Sequence, residues 1–458
     1  MQTPEMHDII SIIKQKTGSL HMTNCTIEKI QFPSLKRRKI EAEFSGGSIT
    51  SDGGGIFLRE ADRQLNLLEP ISKLFPDNRD QSKIDHTVLE MIRQRVYGIA
   101  LGYEDLNDHD SLRHDLAFQT FVNKDSELAS SPTLCRFENK ANRKIAVDIH
   151  KQMVEAFIAS FKKPPKELVL DFDATEDLVH GEQEGRFYHG YYDNYCFLPL
   201  YVFCGKKLLA SYLRPSDKDG ALHAWAILSL LVKRFRQEWP NVRIIFRGDS
   251  GFCRHEMLNW CKRKSVKYIV GIAGNKRLQA ILNPLMETAK QCFKETNEKQ
   301  KLFTKFSYAA KSWTNEKKII GKAEYTKDGS NPRFIVTNID GDSQDLYENL
   351  YCVRGDMENR IKEKQLGLFA DRTSCHNWWP NQLRLLFSSL AYVLIEHIRS
   401  TALAGTVLEK AQVNTIRLRL FKIGAVIIRN TRRIRFLLSS CYPLQELFSS
   451  VFAKLAPT

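Results

Sequence analysis

The spacing of apolar residues changes several times along the chain. The first 40 residues carry little pattern and end in the basic run Lys36-Arg37-Arg38-Lys39, which reads as an arm or extension. SGGSITSDGGG, at 45–55, is a Gly-rich loop without the Lys-Ser/Thr of a phosphate-binding P-loop, so it gives no support for nucleotide binding. From 56 to 160, apolar residues recur at mixed steps of three and four, as in DHTVLEMIRQRVYGIALGYEDLNDHDSLRHD, the period of amphipathic helices. Ser131-Pro132-Thr133 predicts a helix start, IAVDIHKQMVEAFIASF a further helix, and Pro164-Pro165 a boundary.

Beyond that boundary the pattern becomes mixed. KELVLDFD predicts a buried strand ending in acids, and CFLPLYVFCG with KKLLASYL a hairpin turning at Gly205. ALHAWAILSLLVKRFRQEW predicts a helix, NVRIIFRGD a second buried strand ending in an acid, RHEMLNWCKRK a helix and VKYIVGI a strand. That order gives an α/β fold with a mixed sheet. Residues 279–349 break the rhythm with short alternating pieces such as KIIGKAEYT and RFIVTNI, predicting an inserted, mainly β subdomain. DMENRIKEKQLGL returns to helix, and NQLRLLFSSLAYVLIEHIRS predicts an apolar helix packed on the sheet. TIRLRLFKIGAVIIRNTRRIRFLLSS alternates near a period of two, predicting basic strands.

Composition narrows the function. At 458 residues the chain exceeds one ordinary core and predicts two or three structural units. No apolar run is long enough to span a bilayer, and MQTPEMHDIISIIKQKTGSL lacks the shape of a secretory signal. The ten cysteines form no CxxC pair, and Cys253, His255 and Cys261 do not complete a zinc pattern. The expectation is unpaired structural thiols in a reducing cytoplasm. The net charge of +15 favours a polyanion, a nucleic acid or an anionic membrane surface.

Chemistry enters through the acids. Asp173 and Asp249 each close a buried strand, and strand ends that neighbour one another bring side chains to one rim. Crowded carboxylates repel unless a cation neutralises them, and hard divalent ions take oxygen ligands. Alone, the pair is ambiguous: such residues often cap helices, and Asp171 with Asp173 also suits a DxDxT phosphatase-type site with Asp171 as nucleophile. Glu358, on the following helix, shares a face with Arg354 and Lys362, one turn before and after it, with Tyr351 three residues further upstream. Ordinary Glu-Lys pairing on a solvated helix explains that face equally well.

The segments LDFDATEDLVHGEQEGRFYHGYYDNYCFLPLYVFCG, FRGDSGF and YCVRGDMENRIKE resemble, in this order, the insertion-sequence DDE transposases of the thirteen-eighty group. NQLRLLFSSLAYVLIEHIR and TIRLRLFKIGA resemble that group's C-terminal portion, so the likeness spans roughly residues 40 to 450. It implies a ribonuclease-H-like core of the retroviral-integrase superfamily, with an insertion before the last catalytic helix. It implies two Mg2+ ions, replaceable by Mn2+, held by Asp173, Asp249 and Glu358, with Asp173 bridging them. It implies phosphate contacts from Tyr351 and Arg354. The group's later lysine falls at Gln365, a departure for which Lys362 or Lys364 substitutes. It further implies cleavage at terminal inverted repeats, strand transfer into target DNA, a dimer on double-stranded DNA and a place in the bacterial nucleoid.

On that basis the chain divides into a basic arm (1–45), a helical DNA-binding region (46–163), a first part of the catalytic core (164–278), an inserted β subdomain (279–349), a second part of the core (350–403) and a basic C-terminal region (404–458). Candidate DNA contacts are Lys36 to Lys39, Lys362, Arg417, Arg419, Lys422, Arg429, Arg432, Arg433 and Arg435, against a solvated sheet face as the plain alternative. His180, His189, Glu182 and Glu184 are expected to shape a loop, with catalytic assistance or metal binding as the alternative. Ser250 lacks the GxSxG context of a nucleophile elbow. Two other readings stay open: a catalytically inactive DNA-binding relative, and a metal-dependent nuclease or phosphatase using Asp171 and Asp173.

Overall fold

The computed structural model describes residues 29–456. The chain divides into two compact units, 1–49 and 50–458. In the first, β1 (Ile30–Leu35) and β2 (Arg38–Ala42) pair antiparallel with Phe32 opposite Ile40. The basic run therefore forms the tip of a hairpin and its second strand. The remainder of the expected arm lies outside the described residues.

The second unit opens with helices. α1 (Ile56–Leu65) is followed by α2 (Val88–Leu101), whose start is fixed by a capping box in which Thr87 and Glu90 bond each other's backbone N–H. Ser131 opens a helix with Pro132 in its first turn, where the missing N–H costs nothing. α3 (Arg143–Ala159) starts at Asn142, whose side chain accepts from the Ile145 N–H at 3.1 Å. Ile92, Val96, Phe118, Phe121 and Ile149 form one apolar core together with the long helix α8, described below.

The mixed α/β region is built on a nine-stranded sheet, eight strands in one continuous order and the ninth, Gly329–Ser330, paired only with the strand Lys317–Thr326. β3 (Glu167–Ala174) leads into a small sheet of β4 (Asp177–Leu178), β5 (Phe187–His189) and β6 (Asn194–Phe197). The hairpin β7 (Leu200–Cys204) and β8 (Lys207–Tyr212) follows, then α4 (Ala224–Glu238), β9 (Arg243–Gly248), α5 (His255–Arg263) and β10 (Lys267–Ile272). β9 lies between β3 and β10 and runs parallel to both, while β7 pairs antiparallel with β3. Central strands are covered on both sides, which is why β3 and β9 read as nearly continuous apolar runs. Leu168, Leu170, Phe172, Ile244 and Phe246 face one core; Val169, Ile245 and Ile269 face the other.

The inserted subdomain takes a different form from the one expected. It opens with α6 (Lys276–Thr296), started by Asn275, whose side chain accepts from the N–H groups of Arg277 and Leu278. Leu278, Leu282, Met286 and Ala289 bury one stripe at helical spacing. β11 (Gln300–Tyr308), β12 (Lys317–Thr326) and β13 (Arg333–Thr337) extend the central sheet beyond β10 through an antiparallel β13–β10 pairing, giving the order β11-β12-β13-β10-β9-β3-β7-β8. An unpaired β10 edge accepts them, so no separate sheet forms.

α7 (Gly355–Leu368) and the largely buried α8 (Trp378–His397) follow. The expected basic strands begin ten residues late. Residues 413–421 are helical, burying Ile416 and Leu420 one turn apart, and only then comes the hairpin β14 (Ala425–Asn430) and β15 (Arg433–Leu438), before α9 (Gln445–Leu455). Among the described residues no helix is long and apolar enough to cross a membrane.

Candidate active site

Asp173 is the penultimate residue of β3, and Asp249 immediately follows the parallel neighbour β9. Both strands therefore deliver an acid to the same end of the sheet. Asp249 also accepts from the Gly251 N–H at 2.9 Å, which fixes the turn after β9. Glu358 stands in the first turn of α7, 55% exposed at its side chain.

Arg354 links these elements. Its guanidinium donates to Asp173 Oδ2 at 3.1 Å and to Glu358 Oε1. Burial pushes the Asp173 carboxyl up to about 6; Arg354 opposes the shift, and the negative charges of Asp249 and Glu358 add to it. The same three carboxylates raise the Arg354 guanidinium against its own desolvation. All three acids thus act electrostatically on one half-buried guanidinium, although they come from residues up to 185 positions apart (358 minus 173).

Asp171 occupies a different situation. It points to the same face of β3 as Asp173, two residues earlier, and is paired in register with Arg247 of β9. Arg247 donates to both Asp171 oxygens, at 2.7 Å to Oδ2, and also to the Leu350 carbonyl. The sequence reading did not single out Arg247; the signal for it was an arginine two residues before the acid in FRGD.

The remaining residues divide by position. Tyr351 is half-buried, and a methyl group at Gly271 would come within 2.6 Å of its hydroxyl and 2.8 Å of the Ser250 backbone nitrogen. The glycine in VGI is therefore what admits Tyr351 beside the Asp249 turn, a role not recognised in the sequence. Lys362 and Gln365 line the cleft of about 740 Å³ that Asp173, Glu358 and His180 share. Gln365 also donates to the Glu176 carbonyl at 3.0 Å. Lys364 is fully buried, 3.2 Å from Ser211 Oγ and over the Tyr201 ring, so it reaches no surface ligand. Burial holds its amine well below the usual lysine range.

Of the acids in the loop, Glu184 accepts from the Trp378 N–H at 2.9 Å, and Glu182 pairs with Arg186. Both shape the loop. His189 packs on Tyr192.

The basic C-terminal candidates separate in the same way. Arg419, Arg432, Arg433 and Arg435 are exposed. Arg429 is bound to Gln119 at 2.9 Å and Lys422 to Asp52 at 2.7 Å. Arg417 is a correction: it is 8% exposed and donates to the carbonyls of Ile99, Ala100 and Gly367 and to Asn414. With its donors spent on the interior, it has none for DNA.

Three carboxylates with no sulfur or nitrogen donor suit a hard divalent ion. As they stand, no three His, Cys, Asp or Glu among the described residues are gathered closely enough to hold one ion, and the Arg354 cation bridges Asp173 and Glu358. That bridging cation marks where positive charge is favoured.

The whole arrangement can be set beside known proteins. No curated protein sequence matches the chain. Among solved structures, a piggyBac transposase synaptic complex with hairpin DNA, determined by cryo-EM, aligns at 12% identity and a TM-score of 0.41, over 81% of this chain and 80% of that chain. The family described as transposase DDE domain group 1 matches residues 32–458, nearly the full length, and the chain belongs to that family of DDE transposases.

Proposed function

We propose that the chain is the active transposase of an insertion sequence of the thirteen-eighty group, cutting DNA at terminal inverted repeats and joining the ends to target DNA. The observation that carries this is the convergence of Asp173, Asp249 and Glu358 on Arg354. In this reading the core is ribonuclease-H-like, supported by the run β8-β7-β3-β9-β10, in which the first three strands in chain order are antiparallel and the next two parallel to the first.

Asp173, Asp249 and Glu358 would hold two Mg2+ ions, or Mn2+ in their place. Such a pair, when bound, supplies activation of an attacking oxygen and neutralisation of a leaving one. The protein's own part is positional. Arg354 and Tyr351 orient a phosphate at the cleft, and Lys362 adds charge at its wall. Arg419, Arg432 and Arg433 hold the duplex away from the cut. Both ends must be present together, which favours a dimer on DNA, and the setting is the bacterial nucleoid. The Arg247 pairing argues against Asp171 as a phosphatase-type nucleophile.

The test is strand cleavage of repeat-end DNA, taken from the sequence flanking the gene, with Mg2+. Asp173→Asn, Asp249→Asn and Glu358→Gln should each lower the rate at least a hundredfold while repeat binding persists. Cleavage by these variants at the parental rate rejects the reading. Hydrolysis without strand-transfer products supports the nuclease alternative; repeat binding without cleavage by the parent supports the inactive relative.

A further inference from the structure

The helical segment 413–421 presents a face that the chemistry above leaves largely unused. Val413, Ile416, Arg417, Leu420 and Phe421 are buried. Asn414, Thr415, Leu418 and Arg419 alternate with them at helical spacing and are exposed. Leu418 is 68% exposed, too open to serve a core. Among the described residues, Gln412 just before the segment and Thr415 within it spend no side-chain hydrogen bond on the protein. Asn414 spends one: its Oδ1 accepts from Arg417 at 2.8 Å, which steadies the amide and leaves its NH2 group for a ligand.

The segment is fastened to the helix that carries Glu358. The Val413 N–H donates to Glu363 of α7 at 2.6 Å, and Arg417 donates to the Gly367 carbonyl. A methyl group at Gly367 would lie 3.3 Å from the Val413 Cβ and 3.5 Å from Asn414 Oδ1, so the two helices meet closely at that glycine. Asn359 and Lys362 of α7 line one cleft of about 350 Å³ together with Gln412 and Asn414. Lys362 and Leu366 line this cleft and also that of Asp173 and Glu358, so the two adjoin along α7.

The chemistry of the face narrows its partner. A membrane surface is met by a broad apolar stripe, and a protein hot spot by large aromatic anchors. This face carries one leucine and no aromatic ring. Its two amides, one hydroxyl and one branched apolar group are instead the set that reads a DNA duplex. Amides pair with adenine edges, hydroxyls with several bases, and apolar groups with the thymine methyl. The major groove is wide enough to admit an α-helix.

We propose that this segment reads base edges in the major groove next to the phosphate to be cut. Gln412, Asn414, Thr415 and Leu418 face the bases, and Lys362 and Arg419 meet the flanking phosphates. The proposal rests on the transposase reading for the identity of the duplex as a repeat end, and on the exposed, unspent side chains for the readout itself. Through Glu363 and Gly367 the reading face is tied to the helix of Glu358, so the sequence read and the phosphate presented are set together.

Selection of the full chain on randomised duplexes, without metal ion, tests it. The parental protein should enrich a block of adjacent base pairs. Gln412→Ala combined with Thr415→Ala and Leu418→Ala should lose the preference at about three neighbouring pairs of that block. The ratio of specific to non-specific affinity should fall roughly tenfold or more. Affinity for unselected duplex and the melting midpoint should match the parent, because the three side chains leave no partner behind. Arg432→Ser with Arg433→Ser should instead weaken both kinds of binding and keep the consensus. If the triple variant melts lower, Thr415→Ala with Leu418→Ala, which spares the helix start, carries the comparison. An unchanged consensus and ratio overturns the proposal and leaves the face to a protein contact, while cleavage of repeat-end DNA by the parent still upholds the transposase reading. No consensus in the parent overturns the reading helix outright. A consensus that the variant loses, in a parent that cuts no repeat-end DNA, upholds the helix and rejects the active transposase.

Discussion

Arg354 is the cation around which the candidate acids gather, and its charge is what makes their proximity tolerable in the free protein. The residual strain falls on Asp173, whose ionised form is disfavoured by burial and by its two acidic neighbours, its carboxyl being pushed up to about 6. The sign follows directly. An acid with a folded-state value above its unfolded one destabilises the fold at neutral pH. That cost is relieved as pH falls from about 6 towards 4, where the folded form takes up its proton first. Asp173→Asn should therefore raise the thermal midpoint at pH 7, with a ceiling of roughly 2–3 kcal/mol. The gain should shrink towards zero near pH 4. A melting series of both proteins across that range checks this, and an equal difference at every pH would refute it. Under the proposed function, stability is sacrificed at this position to keep a charge for the ion that Asp173 would hold.

At the scale of elements, the acids owe their positions to two parallel strands and one helix joined by tight contacts. β10 is the least conspicuous of these. Its Gly271 leaves room for Tyr351 and for the turn that presents Asp249, and a Cβ there meets both below 3 Å. Gly271→Ala should cost about 1–3 kcal/mol of stability, as overpacking does. It should also lower strand cleavage at least tenfold by shifting Tyr351 and Asp249, while leaving binding of repeat DNA near the parental level. Cleavage and melting both unchanged would show that the strand does not set the site. The strands themselves were legible in sequence, because LVLDFD and IIFRGD are apolar runs ending in acids. The helix 276–296 and the helical turns at 413–421 were not. Lys- and Arg-rich helices with a narrow buried stripe resemble strands or loops until the packing partner is known.

For the whole molecule, the +15 charge suits a polyanion, but burial decides which cations are available to one. Arg417 and the exposed pair Arg432 and Arg433 look alike in sequence and should behave oppositely. Arg417→Met takes one donor from each of the carbonyls of Ile99, Ala100 and Gly367 and should cost roughly 2–4 kcal/mol, seen as a lowered melting midpoint. Arg432→Ser with Arg433→Ser should leave melting nearly unchanged and reduce the salt dependence of DNA binding by about two phosphate contacts' worth. An unchanged salt slope would remove the C-terminal hairpin from the DNA surface.

The sequence by itself determined the local periods, the acids at strand ends, the helix bearing Glu358 and the excess of positive charge, because each is written in neighbouring residues. It left Asp171 and Asp173 as competitors, Lys362 and Lys364 as candidates for one lysine role, and Arg417 among the surface cations. Only the tertiary structure separated these. Arg247 engages Asp171 from the adjacent strand, Lys364 turns inward while Lys362 lines the cleft, and Arg417 ties together segments more than 300 residues apart (417 minus 99). The reason is common to all three. Which charge faces solvent and which meets a partner depends on strand register and long-range packing, and neither is set by a residue's immediate neighbours.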